Sequence, residues 1–399
     1  MFSQFSADFN DSAEAKEAQD ILRRCVHCGF CNATCPTYQL KGDELDGPRG
    51  RIYLIKQMFE GNAVTQQTQL HLDRCLSCRS CETTCPSGVE FGRLVDIGRQ
   101  VIDQKVSRTL PQRIIRHLLL LWLPYPNRFS LLVKLTSWVR LLLPNKYKGK
   151  VPVRQPDSQW PEPRHARKIL LLDGCVQQTL APAINASTAR VLNQLGISAI
   201  RLSNAGCCGA LNYHLSDQNG GLDKMRQLID ACWPHIKSGV DAIVMTASGC
   251  GAMLKDYGKL LRDDPAYANK AERLSALCKD ISEVLSNEDL NQLKIAPRKI
   301  AFQSPCSLQH AQQLNGLTES LLTRLGFDLT PVNDAHLCCG SAGTYSLLQP
   351  KIADQLRTRK LTNLQHNQPE LIATANIGCL LHLQEKSKVP VVHWIELLN

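Results

Sequence analysis

Several things are missing from this 399-residue sequence, and each absence excludes a class of protein. The opening stretch, Met1-Phe-Ser-Gln-Phe-Ser-Ala-Asp-Phe-Asn10, has neither a basic n-region nor an apolar h-region. A secreted protein stapled by disulfides is therefore not expected, and the thiols should work in a reducing compartment. No apolar run reaches the roughly 18–20 uncharged residues of a spanning helix. There is no Walker motif, no dinucleotide fingerprint after a strand and no hydrolase elbow. Residues 106–165 contain no cysteine, although the chain has 18.

What remains is ordinary in bulk. Hydrophobic residues make up 43% and charged residues 21%, which suits a folded chain with a sizeable core. The length suggests two to four domains, at roughly 100–200 residues each. The net charge of +10 is concentrated. Between Val106 and Lys168 there are 13 Lys or Arg against Asp157 and Glu162, so the rest of the chain is close to neutral.

The cysteines fall in two patterns. Cys25-x2-Cys28-x2-Cys31-x3-Cys35-Pro36 recurs 50 residues later as Cys75-x2-Cys78-x2-Cys81-x3-Cys85-Pro86. This is the bacterial two-cluster ferredoxin spacing. Three thiolates at that interval wrap one corner of a cubane, and the fourth reaches the other cluster. Cys25, Cys28, Cys31 and Cys85 are thus expected to hold one [4Fe–4S] cluster. Cys75, Cys78, Cys81 and Cys35 are expected to hold the second. Zinc sites prefer pairs of C-x2-C with a longer gap. Gly50 to Glu60 reads as an amphipathic helix through Ile52, Leu54, Ile55, Met58 and Phe59. Arg49 and Arg51 either raise a cluster's potential or are surface charge at the start of that helix.

The second pattern is also duplicated. Cys175 precedes Cys207-Cys208-Gly209 by 31 intervening residues, and Cys306 precedes Cys338-Cys339-Gly340 by the same number. Gly249-Cys250 and Gly378-Cys379 follow. Such a repeat marks a duplicated domain. Short apolar runs lead to these loops: Lys168–Asp173, Ile197–Leu202, Ala242–Thr246, Lys299–Gln303 and Leu371–Thr374 are expected strands. Val389–Val392 is a closing strand, which Pro390 assigns to an edge. Ala183–Leu195 is an expected helix that Gly196 stops. Alternating strands and helices imply a mainly parallel sheet, with loops past strand C-termini as the site. Adjacent cysteines are poor disulfide partners. The sets Cys175, Cys207, Cys208, Cys250 and Cys306, Cys338, Cys339, Cys379 are therefore candidate redox or cluster loops, which Gly209 and Gly340 would let turn tightly. Cys232 and Cys278 match nothing in the repeat and are read as core. His214, His310, His336 and His393 lie near the loops as metal ligands, proton carriers or strand caps, the last being the plainer reading.

In the connector, Ile114–Leu123 contains Arg116 and His117 and breaks at Pro124, and Leu131–Leu143 contains Lys134 and Arg140 and breaks at Pro144. With Trp122 and Trp138 the pair fits an interfacial amphipathic hairpin. Packing on this chain's own core or on a partner subunit is the preferred reading. No recognition motif accompanies the basic residues, so nucleic acid is not an expected partner.

Cys25-Val-His-Cys-Gly-Phe-Cys31-Asn-Ala-Thr-Cys35-Pro-Thr-Tyr38, Arg74-Cys-Leu-Ser-Cys-Arg-Ser-Cys-Glu-Thr-Thr-Cys-Pro-Ser-Gly88 and Gly206-Cys-Cys-Gly-Ala-Leu-Asn-Tyr-His214 together resemble the Cys-Cys-Gly iron–sulfur family. That family includes heterodisulfide reductase subunits, the C subunit of anaerobic glycerol-3-phosphate dehydrogenase and glycolate oxidase iron–sulfur subunits, and the likeness is greatest to the last. The resemblance covers nearly the whole chain. It implies a bacterial complex in which FAD on partner flavoprotein subunits oxidises a 2-hydroxy acid such as glycolate. This chain would hold no substrate site and would pass electrons towards quinone, peripherally on the cytoplasmic face of the inner membrane. One departure stands out. Relatives of the heterodisulfide reductase kind end the last motif C-x-x-C, whereas Cys250 is followed by Gly-Ala-Met253 and Cys379 by Leu-Leu-His382. A further iron–sulfur cluster in the C-terminal region is therefore an open expectation.

The fold expected is α+β and multidomain. Residues 1–105 form a helical two-[4Fe–4S] ferredoxin-like domain and 106–165 a basic Leu-rich helical connector. Residues 166–296 and 297–399 form two α/β Cys-Cys-Gly halves with mainly parallel sheets.

Overall fold

The computed structural model describes residues 5–6, 9, 12–142, 155, 158–202 and 205–399. The N-terminal lobe is helical. Helix α1 (Ala13–Arg24) starts at Ser12, whose side chain accepts from the amide of Ala15, and stops at Cys25. Helices α2 (Pro48–Phe59), α3 (Gln66–Asp73) and α4 (Phe91–Lys105) pack with it around Leu22, Ile55, Met58, Leu72, Leu94 and Ile97. The expected helix over Gly50 to Glu60 is present, with one change of face: Leu54 is half-buried and Arg51 is buried in its place.

Two four-stranded sheets follow, and every strand pair described is parallel. The first has the order β2-β1-β3-β4: β1 is Arg167–Leu172, β2 Ile197–Leu202, β3 Ala242–Val244 and β4 Cys278–Lys279. The second repeats that order as β6-β5-β7-β8: β5 is Lys299–Gln303, β6 Asp328–Leu329, β7 Leu371–Thr374 and β8 Val391–His393. The two-residue strands β4 and β6 were too short to carry a sequence signal. Strand β8 begins after Pro390, at the sheet edge, because proline cannot donate to a ladder. Helix Pro182–Gln194 ends at Leu195, and Gly196 follows at φ +76°.

The two halves share one core. Ile169, Leu171, Ile243 and Val244 of the first sheet cluster with Phe302, Trp394 and Ile395 of the second half. Across the seam the His393 Nε2–H donates to the carbonyl of Thr246, at 3.0 Å.

The connector is a helical hairpin, α5 (Leu110–Trp122) and α6 (Pro126–Leu142). Leu143 and Pro144, where the second helix was expected to break, lie outside the described residues. Helix α5 has no fully buried residue and meets the N-terminal lobe through Arg116, which pairs with Asp73. Its partner α6 packs through Phe129 and Val133 against Leu180 and Val176.

Candidate iron–sulfur site

The two cysteine loops repeat in conformation as well as spacing. His27 and Gly29 sit at φ +60° and +86°, and Ser77 and Arg79 at +50° and +59°. These left-handed turns coil each loop into a one-turn helix, Phe30–Ala33 or Ser80–Thr83, that carries its third thiol, Cys31 or Cys81. Each fourth cysteine then crosses over. Cys31 lies within electrostatic reach of Cys25, Cys28 and Cys85. Cys78 and Cys81 lie within reach of Cys75 and Cys35. Cys81 also lines the cleft of Cys25, Cys28, Cys31 and Cys85, and Cys78 is within reach of Cys306.

The first group lines an open cleft, with Arg49, Ile52, Phe91 and Cys81 of the second loop. Its outer side is open: Cys28 is exposed, and Val26 and Phe30 beside it are 68% and 63% exposed. Burial raises the Cys25 thiol and pushes Cys31 up to about 11, with Cys25 adding to the latter. The second group is deeper, and burial lifts Cys78 and Cys81 well above the ordinary thiol range. All 18 cysteines are free. Convergent buried thiols that resist ionisation suit a thiolate-binding cation, whose attraction replaces their protons.

Fixed cations back the second group. Arg51 is 1% exposed; its Nε donates to the His71 carbonyl at 2.7 Å, its Nη2 to Thr37 at 3.1 Å, and its Nη1 lies 3.9 Å from Cys35 Sγ. Burial opposes its charge, but Cys75, Cys35 and Asp46 outweigh burial and raise its pKa. Arg99 donates to the carbonyls of Leu72 and Cys75 at 2.9 and 2.6 Å and clamps the loop. Asp46 accepts from Arg74 at 2.8 Å and lies 2.9 Å from His71 Nδ1. The surface-charge reading is excluded for Arg51, and Arg49 lines the first cleft while bonded to Glu44 at 2.6 Å. Arg99 and Asp46 were missed; a charged residue at a core-facing helical position is the signal that Arg99 did carry.

The thiol group of the second sequence motif meets its counterpart in the C-terminal region. Cys78 and Leu76 pack with Cys306 and Cys338. The Thr83 hydroxyl lies 3.0 Å from His310 Nδ1, and the Tyr345 hydroxyl donates to the Arg74 carbonyl at 3.0 Å. In the second half Cys306 and Cys338 stand 3.8 Å apart, and Cys339 and Cys379 3.4 Å. Buried Lys360 is in their field, and its Nζ donates to the Ala335 carbonyl at 2.8 Å. Cys175, Cys207, Cys208 and Cys250 form the equivalent set in the first half. The matching helix there, Gln218–Lys237, buries Met225, Leu228, Ile229 and Cys232, and its half-buried Lys224 is within reach of Cys207. Lys360 was not singled out from the sequence, although it shares an inward face with Leu356, Leu361 and Leu364.

Gly209 and Gly340 have φ +82° and +93°, and a Cβ on either would come within 2.6 Å of a helix carbonyl, that of Gly221 or Ala353. Close packing against that helix joins turn geometry as the reason for glycine. Cys232 and Cys278 are core residues whose thiols burial pushes up to about 12. Of the histidines, His214 pairs with Asp96 at 3.1 Å, and His310 and His393 bond to backbone carbonyls. His382, at the position of the missing fourth thiol, is within reach of Cys339.

Residues 21–89 match the 4Fe-4S dicluster domain family, and residues 169–255 and 300–384 each match the cysteine-rich domain family. Over the whole chain, the glycolate oxidase iron-sulfur subunit of Escherichia coli K12 is 54% identical, with 98% of that protein covered. The chain belongs to the glycolate oxidase iron–sulfur subunit family. A probable glycolate oxidase iron-sulfur subunit of Bacillus subtilis is 30% identical over 96% of this chain and 95% of its own length. Lactate utilization protein A of Bacillus licheniformis is 25% identical over 58% of this chain and 99% of its own. A solved structure, a hypothetical protein from Helicobacter pylori, superposes with a TM-score of 0.57 over 98% of this chain and 72% of that one, at 8% identity. That likeness is one of fold.

Proposed function

We propose that this chain is the iron–sulfur electron-transfer subunit of a flavin-dependent glycolate dehydrogenase complex. When bound, two [4Fe–4S] clusters supply one-electron transfer between a flavoprotein partner carrying FAD and a quinone acceptor. Cys25, Cys28, Cys31 and Cys85 hold one cluster, and Cys75, Cys78, Cys81 and Cys35 the other, within residues 1–105. Residues 106–165 link this lobe to the Cys-Cys-Gly halves, 166–296 and 297–399. The chain itself holds no substrate site, and it works peripherally on the cytoplasmic face of the inner membrane.

The observation that supports this reading is the order of the thiol groups. One group opens to the surface at Cys28, between the exposed side chains of Val26 and Phe30. The other is buried and packs on Cys306 and Cys338. An exposed rim suits contact with a flavoprotein donor, and the inner group faces the second half. There the four thiols, in whose field Lys360 lies, offer a place for a further redox centre.

The test is anaerobic purification of the tagged chain from its native host, followed by dye reduction with glycolate, lactate and glycerol-3-phosphate in turn. Glycolate-dependent reduction is expected only when flavoprotein co-purifies. Glycolate oxidation by the pure, flavin-free chain would overturn the proposal.

A further inference from the structure

The hairpin α5–α6 is turned inside out relative to a solvated helical pair. On α5, Arg116 points inward and pairs with Asp73 at 3.1 Å, although Arg116 is only 14% exposed at the side chain. Arg108, just before the helix, pairs with Asp73 and Asp103, each at 2.6 Å. The opposite face carries Leu110, Ile114, Leu118 and Leu121, which are 38–68% exposed. On α6, Phe129 and Val133 are buried against the loop that follows Cys175, while Leu131, Leu135 and Trp138 are 52–78% exposed. Ile114, Leu118, Leu121 and Leu131, Leu135, Trp138 share the spacing i, i+4, i+7, so each helix presents one outward apolar stripe. Contiguous apolar surface of this kind on a folded chain marks an interaction site.

The charge around the stripes identifies the occupant. Arg113, Arg128 and Lys134 are exposed on the same two helices. No Asp or Glu occurs between Asp103 and Asp157. No described helix is long and apolar enough to cross a membrane. Apolar stripes, interfacial tryptophans and unopposed cations are the features by which a helix lies in the plane of an anionic bilayer.

We infer that the outer face of α5–α6 docks this chain on an anionic lipid surface. Leu118, Leu121, Leu135 and Trp138 enter the acyl boundary, and Arg113, Arg128 and Lys134 meet the headgroups. The inward ion pairs, and the packing of Phe129 and Val133 on Leu180, hold the hairpin against the rest of the chain. This deepens the peripheral placement proposed above by assigning its surface.

Flotation of the anaerobic full-length holoprotein tests it. The probes are vesicles of phosphatidylcholine alone and of phosphatidylcholine with roughly equal phosphatidylglycerol. Strong flotation is expected on the anionic vesicles and weak flotation on the neutral ones, reduced by added salt. Leu118→Asp with Leu135→Asp should lower the floated fraction about tenfold or more, with iron content and dye reduction unchanged. Trp138→Ser, a milder change at a 78% exposed residue, should lower it several-fold and guards against misfolding of the double variant. Equal flotation of wild type and variants, or none on either vesicle, overturns the inference. Flotation retained while the flavoprotein no longer co-purifies also overturns it, and assigns the face to the partner subunit. Flotation reads lipid binding and dye reduction reads electron transfer, so the two proposals fail separately.

Discussion

The Thr83 hydroxyl lies 3.0 Å from Nδ1 of His310, and Nε2 of the same ring donates to the carbonyl of His336, also at 3.0 Å. Thr83 is two residues past Cys81, and His336 two before Cys338. One imidazole thus ties the inner cysteine loop to the second Cys-Cys-Gly loop. Burial lowers the ring's pKa.

His310→Leu should therefore loosen the contact without removing a thiol. Two partly buried hydrogen bonds are lost, a cost of about 2 kcal/mol. A lower melting temperature with full iron content is expected from calorimetry and iron assay. Unchanged melting would show that the ring is not the tie.

Crossed ligation makes a specific spectroscopic prediction. Cys35→Ser should perturb the same reduced-cluster electron paramagnetic resonance signal as Cys78→Ser. Cys85→Ser should perturb the signal that Cys28→Ser does. Each single variant should lose about half of roughly eight irons. Pairing of Cys35 with Cys28 in their effects would refute the crossing.

Arg51 is a buried cation 3.9 Å from Cys35 Sγ. Arg51→Met should lower the potential of the inner cluster by about 100 mV, since a unit charge at ~6 Å in an effective dielectric of ~20 contributes ~3 kcal/mol. Arg51→Lys should recover much of that shift. Potentiometric titration distinguishes this from a merely structural arginine, whose loss would leave the potential in place.

Gly340→Ala and Gly209→Ala place a methyl within 2.6 Å of a carbonyl at a left-handed position. Each should cost about 2–4 kcal/mol of stability, measured by thermal melting. Ala at Gly42, which is also left-handed but has open space around it, should cost less.

Burial pushes His393 down to about 4. Its folded value lies below its unfolded one, so the unfolded chain binds the extra proton. The stability linked to this ring is complete above about pH 6.5 and is lost as pH falls towards 4. At pH 5 the loss is ~2 kcal/mol. His393→Gln should melt with a smaller drop between pH 7.5 and 5 than wild type; an equal drop would place the acid sensitivity elsewhere.

Local chemistry made much of this protein legible in its sequence. A cysteine interval of two or three residues specifies a loop geometry by itself, so the two ferredoxin-type loops and the duplicated Cys-Cys-Gly loops could be read directly. Strands such as Lys299–Gln303 were visible because short buried parallel strands are continuous apolar runs. The tertiary structure decided what distant segments do to one another. Whether Arg51 is surface or core, that Cys78 meets Cys306, and that Lys360 lies in the field of four thiols depend on packing between residues far apart in the chain. The orientation of α5 was likewise undecidable from its pattern. An amphipathic stripe looks the same whether its leucines face a core or a membrane, and only the pairing of Arg116 with Asp73 turns them outward.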